Sequence, residues 1–126
     1  MMIRTARDVA ALLAPIFAAA EGGTEMVAVV HLDGEQRLLA VTIEEPGRRD
    51  AVELPIGAIL ATALRLGATA IVVAHNHPSG DAGPSDEDIR STRALAEAAA
   101  AIGVRLHDHL VFAGEECSSL RELGLL

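Results

Sequence analysis

Apolar residues recur along this chain at two spacings, and the alternation between them marks out its elements. Val9, Leu12, Leu13, Ile16, Phe17 and Ala20 fall at i, i+3, i+4, i+7, i+8 and i+11, one face of a helix. Thr5 is a suitable N-cap, Asp8 suits the first turn, Gly22-Gly23 ends the element, and Pro15 predicts a kink. Glu25 to Asp33 is a β-rich run, apolar on both faces, which predicts a buried central strand. Asp33-Gly34 is a hairpin signal, Arg37 to Ile43 the returning strand, and Glu44 to Asp50 a polar, turn-prone connection.

Helical spacing returns at Ile56, Ile59, Leu60, Ala63 and Leu64, with Pro55 near the start and Gly67 at the end. Thr69 to Ala74 predicts a further buried strand. Ser85 to Ala101 predicts a third helix, stopped by Gly103, with Ile89, Thr92, Ala96 and Ala99 along one face. Val104 to Phe112 reads as a strand bent at Asp108, and Ser118 to Leu123 as a short helical turn. Strands interleaved with helices predict a mixed sheet covered on both faces, a three-layer α/β/α sandwich. The 126 residues suit one domain over 1–126, with residues 1–23 supplying an N-terminal helix packed on the core.

Composition narrows the choices. Phe17 and Phe112 are the only aromatics besides histidine, so the core is aliphatic and no platform for stacking nucleobases is evident. A formal charge of -8 and a pI near 5.0 oppose strong nucleic-acid binding. Cys117 is the only cysteine, which excludes an internal disulfide, fits a reducing cytoplasm and predicts a small, half-buried structural thiol. Arg4 and Arg7 ahead of an apolar run imitate a signal peptide, but the helical spacing is the better pattern. No apolar run reaches the ~18 residues of a membrane span, so no membrane partner is expected.

The chemistry is concentrated in residues 75–88, which read H-x-H, seven residues, then S-x-x-D. His75 and His77, at i and i+2 on an extended segment, project from one side of the backbone. They sit at the carboxyl end of a strand, where open α/β sheets build their sites. A loop rich in Gly and Pro turns the chain back, and Asp88 follows in the first turn of the next helix. Two imidazoles and one carboxylate leave a fourth position open, the mark of a catalytic rather than a structural zinc site. Such an ion lowers the pKa of its water to about 7. A capping box accounts for Ser85, and in part for Asp88, but for neither histidine. A zinc deaminase needs H-x-E and P-C-x-x-C, which the single cysteine excludes. Phosphodiester cleavage usually calls for two metals and more carboxylates.

His107, Asp108 and His109 form a second polar group. Strict alternation places His107 and His109 on one face and Asp108 on the other, which allows a second site but better fits supporting or structural groups at the edge of the first. His31 is expected only to pack or hydrogen-bond.

At His75-Asn76-His77-Pro78-Ser79-Gly80, Pro84-Ser85-x-x-Asp88-Ile89-x-x-Thr92-Arg93 and Asp108-His109-Leu110, the chain resembles the JAB/MPN (JAMM motif) metalloprotease superfamily, within it the RadC-like branch. The resemblance spans roughly residues 24–126. It implies a cytidine-deaminase-like sandwich and one zinc per chain on His75, His77 and Asp88. It also implies Glu25 as general acid/base and Ser85 as a donor to the substrate oxyanion, with Asp108 and His109 as supporting neighbours of the ligands. Spacing alone does not separate Glu25 from Glu21, Glu44, Glu45 or Glu53. The implied activity is a peptidase or isopeptidase acting on a protein or peptide, with a homodimer an allowed assembly. The alternative is a non-catalytic MPN-like partner-binding module or a DNA-repair-associated RadC-like factor. Glu44 to Glu53 departs from the family pattern, and only one helix stands where a helix-hairpin-helix region is common.

Overall fold

The computed structural model describes residues 1–19, 25–44 and 54–126. Ala20, the expected stop at Gly22-Gly23 and nearly all of the connection from Glu44 to Asp50 lie outside them. Thr5 opens helix α1 (Ala6–Ala18) as predicted. Its hydroxyl accepts the Asp8 N–H at 3.2 Å, while the Asp8 carboxylate accepts the N–H groups of Arg4 and Thr5, completing a capping box. Pro15 is accommodated within this helix, near its end.

Strand β1 (Val27–Leu32) is buried along its length because it has a strand on each side. It pairs antiparallel with β2 (Leu38–Glu44), and the turn between them is longer than a two-residue hairpin. Asp33 accepts the N–H groups of Glu35 and Arg37 on one carboxylate oxygen, and Gln36 takes the left-handed conformation at φ 65°. Helix α2 (Ile56–Leu66) ends at Gly67, whose φ of 71° fits a left-handed C-cap. β3 (Ala70–Asn76) then pairs antiparallel with β1 and parallel with β4 (Arg105–Ala113), which is reached through α3 (Asp86–Ala101).

The final element differs from expectation. Ser118 and Ser119 belong not to a helical turn but to β5 (Glu116–Ser119), antiparallel to β4, and only the chain beyond them turns. A two-residue turn, Gly114-Glu115, closes this hairpin, with Gly114 at φ 59°. The short, polar Cys117-Ser118-Ser119 carries no apolar alternation, and backbone pairing with β4 decides its form. Cys117 is exposed on this edge strand rather than half-buried.

The sheet order is β2-β1-β3-β4-β5, mixed in direction. Ala28, Val30, Val72 and Leu110 pack on one face with Val9 and Leu13 of α1. Val27, Val29, Ile71 and Val73 pack on the other with Ile59 and Ala63 of α2 and Leu95 and Ala99 of α3. The expected three-layer sandwich is the result. Phe17 stacks on Phe112 at 4.6 Å between centroids, locking α1 to β4. No helix among the described residues is long and apolar enough to cross a membrane.

Strict alternation fails in β4. Ile71 is opposite Leu106 but Val72 is opposite Asp108, so His107 is an extra, bulged residue. His107 and Asp108 both line the cavity beside the start of α1. His109, opposite Val73, faces α3 instead. The two histidines therefore do not share a face, because a bulge reverses the parity of every residue after it.

Candidate metal centre

β3 delivers His75 to the α3 side of the sheet, fully buried, and the chain leaves the strand at His77, whose side chain is 15% exposed. The His77 backbone N–H binds the Phe112 carbonyl at 2.7 Å, holding it against β4. The following loop folds on itself: Asp81 accepts the Gly83 N–H at 2.9 Å, and the Gly80 N–H reaches the His77 carbonyl. The Asp81 carbonyl thereby lies 2.8 Å from His77 Nδ1. A carbonyl only accepts, so Nδ1 carries the proton and Nε2 presents its lone pair.

Asp88 enters from the first turn of α3. Ser85 caps that helix: its Oγ accepts the Asp88 N–H at 3.0 Å, and the Ser85 N–H donates to Asp88 Oδ2 at 2.8 Å. The capping box and the candidate ligand role thus fall on one carboxylate. Burial raises the Asp88 pKa, but the neighbouring His75 and the Ser85 N–H bound to its Oδ2 outweigh it. The carboxyl is held well below the usual range, ionised and fit to bind a cation.

The three side chains converge. His75 Nε2 lies 2.9 Å from His77 Nε2 and 3.3 Å from Asp88 Oδ1, and His77 Nε2 lies 3.0 Å from Asp88 Oδ2. Ligands at zinc distances, arranged tetrahedrally, stand about 3.3 Å apart. The set is therefore already spaced to share one ion, and His75, His77 and Asp88 form a group able to hold a metal.

Around the ligands, His109 Nε2 lies 2.6 Å from His75 Nδ1, and its Nδ1 lies 2.5 Å from Thr92 Oγ1. Burial, with a smaller contribution from the neighbouring His75, pushes the pKa of His109 down to about 3, so its ring is neutral. Asp108 reaches none of the ligands. It accepts from Ser119 Oγ, from the Arg121 N–H and from the His109 N–H, so it holds the backbone on which His109 is mounted.

Glu25 lies two residues before β1, half-buried. Val27 pairs with His75, so Glu25 lies two residues upstream of the residue paired with that histidine. The Met26 N–H binds Asn76 Oδ1 at 2.7 Å, fastening this entry to the end of β3. Among the alternatives, Glu44 stands opposite Val27 on β2, one strand further out, while Glu21, Glu45 and Glu53 lie outside the described residues. His31 is buried and bonds Thr42 through Nε2 at 2.9 Å, in keeping with a packing role.

Thr92 is the residue whose place here the sequence conceals. The buried stripe of α3 is Asp88, Thr92, Leu95 and Ala99, rotated from the expected Ile89, Thr92, Ala96 and Ala99. Its first two members are polar and aimed at the site, so hydrophobicity alone misplaces the face. The i, i+4 spacing of Thr92 from Asp88 and its place in the motif from Pro84 to Arg93 are the signals that point to it.

Comparison with known proteins agrees with this architecture. Residues 3–125 match the RadC-like JAB domain. A UPF0758 protein of Salinibacter ruber is 38% identical over all of this chain and 53% of its own length. Another, of Chloroflexus aggregans, is 37% identical over 98% of the chain and 53% of its length. A third, of Cellvibrio japonicus, is 42% identical over 81% of the chain and 46% of its length. The chain spans about half the length of these relatives. With the match running nearly end to end and the His75, His77 and Asp88 group in place, the chain belongs to the RadC-like JAB domain family.

Proposed function

We propose that this domain is a zinc-dependent hydrolase that cleaves an amide bond in a protein or peptide, as a peptidase or isopeptidase. The observation that carries the reading is the convergence of His75 Nε2, His77 Nε2 and an Asp88 carboxylate oxygen at near-tetrahedral spacing. Two nitrogens and one oxygen suit zinc, and three protein ligands leave a position for solvent or substrate. Zinc bound there supplies a Lewis acid for the scissile carbonyl and an acidified water.

The chain's own residues do the rest. The Glu25 carboxylate takes a proton from the attacking water as the new C–O bond forms, then passes it to the amine nitrogen as the C–N bond breaks. Ser85 Oγ accepts the Asp88 N–H, and its O–H remains available to donate to the carbonyl oxygen as that atom becomes negative. His77 is the more exposed of the two ring ligands, so the open side of the site adjoins it.

Metal analysis of the purified chain, followed by a peptide-library cleavage screen, tests this reading. One zinc per chain and metal-dependent cleavage are expected, both lost in His75→Ala. Absence of stoichiometric zinc after supplementation overturns the hydrolase reading in favour of a partner-binding module.

A further inference from the structure

We infer that His109 and Thr92 are positioning residues that select which nitrogen of His75 faces the metal site, through a hydrogen-bond relay with only one allowed direction. Thr92 Oγ1 lies 2.6 Å from the Asp88 backbone carbonyl. That oxygen can only accept, so the single hydroxyl proton of Thr92 is committed to it. Toward His109 Nδ1, 2.5 Å away, Thr92 can then only accept, and Nδ1 must carry a proton. His109 is fully buried, and its ring nitrogens face a hydroxyl and another imidazole. A cationic ring there would be a buried charge with no carboxylate partner, so the ring is neutral and Nε2 is bare. His75 Nδ1, 2.6 Å from that nitrogen, must therefore donate. The His75 proton is held at Nδ1 and its Nε2 lone pair is turned toward His77 and Asp88.

The relay is a closed circuit. It begins on the backbone of one ligand, Asp88, and ends on the ring of another, His75. His77 reaches the same tautomer directly, through the Asp81 carbonyl. Both rings are thus referred to backbone carbonyls, groups that cannot reverse their role. The β4 bulge at His107 is what makes this possible, since without the extra residue His109 would face α1.

The inference rests on the metal reading for its purpose, but the tautomer is measurable without metal. Long-range proton–nitrogen spectra of the metal-free chain at a pH of about 8 report which nitrogen of each histidine bears the proton. Chelator competition gives the zinc Kd. In the wild-type protein His75, His77 and His109 should all carry the proton on Nδ1. Thr92→Val should mix the His75 tautomers and weaken zinc binding by about 10–100-fold, the usual cost of removing such a support. Thr92→Ser, which keeps the hydroxyl, should restore both.

A wild-type His75 protonated on Nε2 overturns the relay. So does a folded Thr92→Val protein with unchanged tautomers and zinc affinity. Should that variant fail to fold, the wild-type spectrum and His109→Gln decide. Its amide oxygen can accept from His75 Nδ1, so folded His109→Gln should bind zinc more tightly than His109→Leu. Equal affinity in the two counts against the relay. A wild-type chain with the stated tautomers but no zinc affinity would sink the hydrolase reading and leave the relay standing.

Discussion

Val27 pairs antiparallel with His75, and Glu25 lies two residues upstream of that pair. Glu44 stands opposite Val27 on the outer side, one strand further from the ligands. With strands about 4.8 Å apart, its backbone is about 10 Å from that of His75. The two glutamates are alike in sequence and unlike in position.

Glu25→Gln should keep the metal and lower turnover by about 10²–10⁴-fold, the usual contribution of a general base. Glu44→Gln should stay within a fewfold of wild type. Steady-state peptide cleavage with parallel zinc analysis checks both, and full activity in Glu25→Gln removes that residue from the mechanism.

Ser85 caps α3, and the proposed mechanism gives it a second role that is separable from the first. Ser85→Ala should cost about 1 kcal/mol of stability through loss of the cap, whereas Ser85→Gly should cost only a few tenths. Both remove the hydroxyl, so both should lose turnover alike if Ser85 stabilises the oxyanion. Denaturant melts alongside kcat separate the cap from the chemistry. A glycine variant with normal kcat would confine Ser85 to capping.

Acid should weaken the metal-free fold in two stages. His109 has a folded pKa of about 3 against an ordinary value near 6.5. The unfolded chain therefore takes up a proton first as pH falls. The stability this group contributes is complete above about 6.5 and declines down to about 3. Asp88, also lowered, adds a loss that begins only below its ordinary value near 3.9. Denaturant midpoints in chelator between pH 8 and 4 should fall with acid, and a folded His109→Gln protein should show a shallower slope. An unchanged slope would mean that His109 is not the group responsible.

The Phe17–Phe112 stack should be separable from the site. Phe112, almost wholly buried, should cost about 3–5 kcal/mol on truncation to Ala, and the half-buried Phe17 less. A double-mutant cycle should return a coupling of about 0.5–1.5 kcal/mol, with zinc stoichiometry unchanged in each folded variant. Zero coupling would deny the stack any energetic role.

Zinc itself should stabilise the fold by linkage. At free zinc 100 times Kd the gain is about 2.7 kcal/mol, read as a higher Tm that chelator reverses. His75→Ala should show no such shift.

Much of this was legible in the chain. Thr5 with Asp8, and Ser85 with Asp88, announced two helix starts because a capping box is written within four residues. The candidate ligands His75, His77 and Asp88 lie within fourteen residues, on a strand end, a loop and a helix start that local pattern identifies. The aliphatic layers followed from period, since burial on a strand or a helix repeats at fixed spacing. The family resemblance, rather than spacing, singled out Glu25.

Tertiary structure alone decided the remainder. The bulge at His107, the strand pairing of Cys117 to Ser119, the pairing of Val27 with His75 that brings the Glu25 segment to the end of β3, and the link from Thr92 through His109 to His75 all depend on register between distant segments. One inserted residue in β4 turns His109 from one layer to the other without altering its local sequence signal. Local pattern determines what most elements are, but in α3 and β4 it does not fix which face they bury. Which distant side chain meets which is settled only when the backbones pair, and the surroundings of His75 belong to that second kind of information.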